Sequence, residues 1–181
     1  DAARNFHSKA EVLRILDLMA SYKLNKFHFH FIDDEGWRLE IPALPELTTI
    51  GANRSANFED GKAIQSAYGS GATAKSHQFY SVADYIEILK YAKARHIDVI
   101  PEVETPGHAR AAIKAMRARF AHYSNLGDKQ KAEEFLLDDA EDKSVYNSAQ
   151  NWNDNVMNPA LPSTYPVSYT HLRAHETDSY L

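Results

Sequence analysis

The sequence predicts an α/β fold with parallel strands, and three observations carry that prediction. Twice, a stretch of helical period runs directly into a short β-branched or aromatic strand, once within residues 8–32 and again within 81–104. Polar side chains collect just after the carboxyl end of each strand. No internal repeat and no apolar run long enough to span a bilayer breaks this order.

The elements follow in chain order. Asp1–Arg4 reads as the last residues of a preceding strand. From Ser8 to Tyr22, Val12, Ile15, Leu16 and Met19 recur at three- and four-residue steps along one helix face. Ser8 and Glu11 carry the capping-box spacing. Lys26–Ile32 then alternates as a strand, with Phe27, Phe29 and Phe31 on one face and His28 and His30 on the other. A long excursion follows from about Leu39 to Phe79, rich in glycine and proline, of a length that usually marks function. A second helix starts at Ser81, with Asp84 as its capping partner and Val82, Tyr85, Ile86 and Leu89 as its stripe. Ile97–Glu104 is the second strand. Thr105 as cap and Pro106 in the first helical position predict a third helix, with Ala109, Ala112, Ile113, Met116 and Phe120 facing inward. Lys129–Leu137 reads as a short helix and Asp138–Asp142 as a solvated acidic loop. Residues 166–181 show neither period, and are expected to be a foreign tail packing against nothing.

Composition narrows the function classes. The 181 residues are 44% hydrophobic, 11% aromatic and 25% charged, within the ordinary globular range, so disorder and collagen-like order are excluded. Twenty lysines and arginines against 25 aspartates and glutamates leave a formal charge of −5. That balance carries no electrostatic footprint for nucleic acid or an anionic membrane. Cysteine is absent, which removes disulfides, thiolate metal sites and cysteine nucleophiles. Residue 1 is Asp and no signal segment precedes the first helix, so the chain reads as cut from something longer.

Chemistry is expected at the carboxyl edge of the strands, where parallel folds bind ligands. Asp33-Asp34-Glu35 follows the first strand, and Glu102, Glu104 and His108 follow the second. Each has a plainer reading beside it. His28 and His30 serve first as satisfied interior histidines and second as ligands. Asp33 caps a following turn, and Glu102 pairs with a strand neighbour. Trp37 and Trp152 are packing residues or sugar platforms. His108, placed in the first turn of a helix, is disfavoured as a cation there and suited to orienting and handling a proton beside a carboxylate.

These residues also carry a family likeness. Asp1-Ala-Ala-Arg4, the run Met19 to His30, Asp33-Asp34-Glu35-Gly36-Trp37-Arg38, Ile100-Pro101-Glu102-Val103-Glu104-Thr105-Pro106-Gly107-His108 and Asn158 to Tyr165 resemble, in the same order, glycoside hydrolase family 20. The likeness spans residues 1–165. It implies an incomplete (β/α)8 TIM barrel, holding only the first strands and helices. It implies a β-N-acetylhexosaminidase acting on glycans that end in N-acetylglucosamine or N-acetylgalactosamine, with no cofactor and no metal. Such enzymes retain configuration by substrate-assisted catalysis, in which the 2-acetamido oxygen attacks the anomeric carbon. By motif match, Arg4 grips sugar hydroxyls, while Asp33 and His108 form the catalytic pair that tunes an acid Glu. The family's His-x-Gly-Gly-Asp-Glu strand, which supplies that Glu and the acetamide-orienting Asp, occurs nowhere in these residues. Members are commonly exported, so a periplasmic or secreted location is an implication of the likeness alone. Two other readings stand beside it. One is a metal-dependent barrel hydrolase built on His28-x-His30 with Asp33 or His108. The other is a non-catalytic glycan-binding module.

Overall fold

The computed structural model describes residues 1–57, 61–67, 78–139 and 141–167. Helix α1 (Lys9–Ser21) begins at the Ser8–Glu11 capping box: Ser8 Oγ accepts the Glu11 N–H, and the Glu11 carboxylate accepts the Ser8 N–H. It leads into β1 (Lys26–His30), the hairpin strands β2 (Ile32–Asp33) and β3 (Gly36–Trp37), and α2 (Glu46–Thr49). The short parallel pair β4 (Arg54–Ser55) and β5 (Ile64–Gln65) follows, then α3 (Val82–Lys93), β6 (Asp98–Glu102), α4 (Arg110–Asn125) and α5 (Lys129–Glu133). Helix α3 repeats the capping logic of α1, with Ser81 and Asp84 as reciprocal partners.

The strands β1 and β6 pair in parallel, from Lys26 opposite Asp98 to His30 opposite Glu102. This pairing sets where the chemistry lies. Parallel neighbours end on the same side, so everything that follows His30 and Glu102 emerges at one edge. Behind the sheet, Phe29 and Phe31 are buried as the alternation requires, with ring centroids 4.9 Å apart in an edge-to-face contact. Tyr80, Tyr85 and Ile88 close over them, and Leu16 and Val12 from α1 complete this part of the core. Salt links from Arg95, just past the end of α3, to Asp17 and from Lys9 to Glu87 tie this segment to α1 on the outside. Pairs this exposed add little to stability.

Several sequence expectations need correction. Asp1–Arg4 is not a strand but a turn, and its Ala2 and Ala3 N–H groups donate to the His30 carbonyl at the end of β1. The excursion from Leu39 is not merely irregular. It buries Leu39, Ile41, Leu44, Leu47 and Ile64 in the core and carries α2, β4 and β5, although residues 58–60 and 68–77 lie outside the described part. The third helix starts at Arg110, not at Thr105. Its N-cap, Ala109, offers no side-chain acceptor, so the cap comes from elsewhere: Asp34 Oδ1 accepts the Arg110 N–H at 3.0 Å. Residues 105–108 are thus free to turn back toward the β2–β3 hairpin. The expected tail fails at its start, because Val167 is fully buried in the core. Residues 168–181 lie outside the described part.

Candidate active site

Asp33 is the hub. It is 1% exposed and three segments converge on its two oxygens. Oδ1 lies 3.1 Å from His108 Nδ1 and accepts the Asp34 N–H at 2.6 Å. Oδ2 lies 2.5 Å from an Arg4 terminal nitrogen and 3.2 Å from His30 Nε2. Burial alone would raise the pKa of Asp33. The His30 hydrogen bond, the Asp34 N–H and the charges of Arg4 and His108 outweigh it and hold the group below the usual carboxylate range. The same contact with Asp33 lifts His30 above the ordinary histidine value, against its own burial.

Backbone geometry explains how these residues meet. His30 is the last residue of β1, and Asp33 ends β2 three residues on. His108 stands two residues before α4, at a φ of 54°, which turns its ring back toward Asp33. It is therefore not in the first helical turn, as its spacing from Pro106 had suggested. Arg4 is carried on the turn that hangs from the end of β1, and that turn is held by two buried arginines. Arg38 donates to the carbonyls of Ala2, Ala3, Ala52 and Gln78 at 2.8–3.1 Å. Arg54 donates to the carbonyls of Ala3, Arg4 and Glu35 at 2.5–2.8 Å. Burial drives Arg38 down to about 9 and Arg54 down to about 10. Gly36 makes room for this arrangement, since a Cβ there would stand 2.5 Å from the Arg38 guanidinium.

Beneath the hub lies a second layer. Asp34 is 0% exposed; its carboxylate takes the Arg110 N–H and, at 2.8 Å, the Asn155 side-chain amide. Burial raises its pKa. Glu35 is also buried, is raised by burial and by the Asp33 charge, and has Arg4 Nε at 3.4 Å. On the open side of the sheet, Glu102 pairs with His28 at 2.6 Å, which confirms the strand-neighbour reading. Glu104 shares a hydrogen bond with Glu102, and burial with that bond raises it.

The structure thus brings Arg4, Asp33 and His108 together, as the motifs implied. His30 is half-buried against Asp33, whereas His28 is exposed, so only the first suits the interior role. Trp37 is fully buried, with its indole N–H donating to the Leu39 carbonyl, which excludes it as a sugar platform. Trp152 stacks on the Arg110 guanidinium at 4.1 Å. Among the described residues, two groups place possible metal-binding atoms within 4.8 Å of one another: His30, Glu102 and Glu104, and Asp33, Asp34 and His108. In the second group the carboxylate oxygens already serve Arg4, His30, Arg110 and Asn155, so a cation there would have to displace a guanidinium or a helix cap. Sequence reading missed Asn155 and Arg54. Neither stands in a recognisable motif, and Asn155 reaches Asp34 across 121 residues.

The chain is similar to known proteins. The chain is 50% identical to a β-hexosaminidase of Vibrio vulnificus over 167 residues, which is 91% of this chain and 20% of that protein. It is 48% identical to the N,N'-diacetylchitobiase of Vibrio harveyi, again over 91% of this chain and 19% of the relative. The crystal structure of a family 20 exo-β-N-acetylglucosaminidase from Vibrio harveyi, in complex with N-acetylglucosamine, superposes with a TM-score of 0.76 at 40% identity. That match covers 96% of this chain and 24% of the Vibrio chain. The chain therefore spans about a fifth of the length of the curated relatives it matches. Residues 1–173 match the description "Glycosyl hydrolase family 20, catalytic domain". A match over nearly the whole chain, with Arg4, Asp33 and His108 gathered at one strand edge, settles its kinship: this chain belongs to glycosyl hydrolase family 20.

Proposed function

We propose that the chain forms the first part of a (β/α)8 barrel in a β-N-acetylhexosaminidase, and contributes its sugar-gripping and proton-tuning groups. The observation that carries this reading is the simultaneous contact of Asp33 with Arg4, His30 and His108 at the carboxyl edge of β1 and β6. The substrate class is a glycan ending in N-acetylglucosamine or N-acetylgalactosamine, and the Vibrio harveyi structure with bound N-acetylglucosamine supports the first of these.

Each residue has a role that its surroundings permit. Arg4 is about a third exposed and presents a planar fork of donors suited to adjacent sugar hydroxyls. Asp33 is held ionised, so it accepts the Nδ1–H of His108 and fixes the orientation of that ring. His108 then directs Nε2 away from Asp33. A carboxylic acid seated beside Nε2 would be oriented toward the leaving glycosidic oxygen, and would give its one proton to that oxygen and be left as a carboxylate beside the imidazole. The acid itself and the acetamide-orienting Asp belong to the His-x-Gly-Gly-Asp-Glu strand, which these residues lack. General acid catalysis contributes about 10²–10⁴-fold, so the chain alone is expected not to turn over substrate.

The test is release of nitrophenol from an aryl N-acetyl-β-glucosaminide. This chain is run beside a version extended by the rest of the catalytic domain of the Vibrio vulnificus relative. Activity only in the extended protein supports the reading. Turnover by the short chain at comparable rates would place the acid among Asp33, Asp34, Glu35, Glu102 and Glu104 and overturn it.

A further inference from the structure

We propose that Glu35 is a positioning residue for Arg4, its carboxylate fixing the inner edge of the guanidinium so that the outer edge faces the sugar. This rests on the reading of Arg4 as the sugar-gripping group. The Glu35 side chain is 0% exposed, and neither of its oxygens accepts a hydrogen bond from another described residue. Burying a carboxylate without donors costs free energy that a nearby cation must offset, so an arrangement of this kind calls for an explanation.

Three arginines lie close enough to supply that cation, and two are otherwise engaged. Arg38 and Arg54 spend their donors on backbone carbonyls, Arg54 even on the Glu35 carbonyl, and give none to its carboxylate. Arg4 is the guanidinium that meets the carboxylate itself, through Nε at 3.4 Å. The geometry of the fork then decides the role. One terminal nitrogen is on Asp33 at 2.5 Å and Nε is on Glu35, so two buried carboxylates hold adjacent nitrogens along one edge. The other terminal nitrogen meets Asp1, at 2.8 Å, whose side chain is 38% exposed. That outer contact is the weak one, and a sugar diol can replace it without disturbing the inner edge. Without the Glu35 charge, Arg4 would be held at Asp33 alone and would be free to pivot about that contact.

Substitutions separate charge from shape. Glu35→Gln keeps the shape and removes the charge, whereas Glu35→Asp keeps the charge and shortens the reach. The full 181-residue chain is titrated with N-acetylglucosamine by NMR, and the Arg4 Nε–H resonance is followed in the same samples. Glu35→Gln should weaken sugar binding about tenfold, equivalent to about 1.4 kcal/mol, and broaden the Arg4 Nε–H signal. Glu35→Asp should recover part of both, which a packing role would not do, because it is the poorer fit. Unchanged affinity and an unchanged Nε–H signal in Glu35→Gln would overturn the proposal, as would a lower affinity in Glu35→Asp than in Glu35→Gln. If the unaltered chain binds no sugar, the role of Arg4 in the proposed function fails. The Nε–H signal then still decides whether Glu35 holds Arg4.

Discussion

Replacing Asp34 distinguishes a structural anchor from a spare acid. In the fold its carboxylate does two jobs, accepting the Arg110 N–H that begins α4 and the amide of Asn155. Asp34→Ala removes both acceptors. Loss of a helix cap costs about 0.5–2 kcal/mol, and a buried amide left without an acceptor costs about 1–3 kcal/mol. The sum is roughly 3 kcal/mol, which for a chain of this size lowers Tm by roughly 6–12 °C. Asp34→Asn should behave differently. Its carbonyl still accepts the Arg110 N–H, and its amide can donate to Asn155 Oδ1, which has no hydrogen-bond partner among the described residues, once the Asn155 amide flips. That variant should stay within about 1 kcal/mol of the unaltered chain, because the cost of a buried charge is removed as well. Urea unfolding followed by the fluorescence of buried Trp37 measures both. Acidity adds a sign test. Burial raises the pKa of Asp34 in the fold, so the folded chain holds that proton more tightly than the unfolded one. The penalty for this group is present above the raised value and disappears as pH falls, so any advantage of Asp34→Asn should shrink on acidification. Equal losses from the two variants, or an advantage that grows toward low pH, would refute the reasoning.

The remaining predictions concern neighbouring features. Because Asp33 is lowered and His30 raised, the stability from their pairing should be lost at both ends of the pH scale. It falls as pH drops through the depressed Asp33 value and as pH rises through the elevated His30 value. Subtracting the stability–pH curve of Asp33→Asn from that of the unaltered chain should isolate this window. Gly36→Ala should cost about 2–4 kcal/mol in the same unfolding assay, since its methyl would displace the buried Arg38 guanidinium from its carbonyls. Val167→Ala should cost about 1–2 kcal/mol; no change would return the segment from Pro166 to the status of an unpacked tail. In the extended enzyme, Asp33→Asn should lower kcat about 10²-fold while leaving KM within about threefold, and the reverse pattern would assign Asp33 to sugar binding.

Local physics was legible in the sequence, and distant partnerships were not. The Ser8–Glu11 and Ser81–Asp84 boxes and the inward Phe29 and Phe31 follow from spacing alone, because each depends on residues within a turn or a pleat. The pairing of Asp33 with His108 was expected from motif likeness, not from spacing. The start of α4 was misplaced because Thr105 and Pro106 carry every local start signal, while the real cap is Asp34, which lies 76 residues before Arg110. The excursion after Leu39 looked like loop because its glycines and prolines hide the buried Leu44, Leu47 and Ile64. Arg38 stands in the sequence only as the end of a motif, and Arg54 in no motif at all. Only the carbonyls of Ala2 and Ala3, brought close by the fold, make their burial tolerable.

Arg38 has one more consequence. A single nitrogen of its guanidinium takes both the Ala52 and the Gln78 carbonyl, so the chain between those residues leaves and returns at one fastened point. Length added or removed inside such a closed loop changes the entropy of closure only slowly, by about 0.6 kcal/mol per doubling. The number of residues between Gln65 and Gln78 can therefore change across evolution, or in the laboratory, while Arg54, Ile64 and the turn that carries Arg4 keep their places. Diversity at the rim and constancy at the hub would then share one rivet.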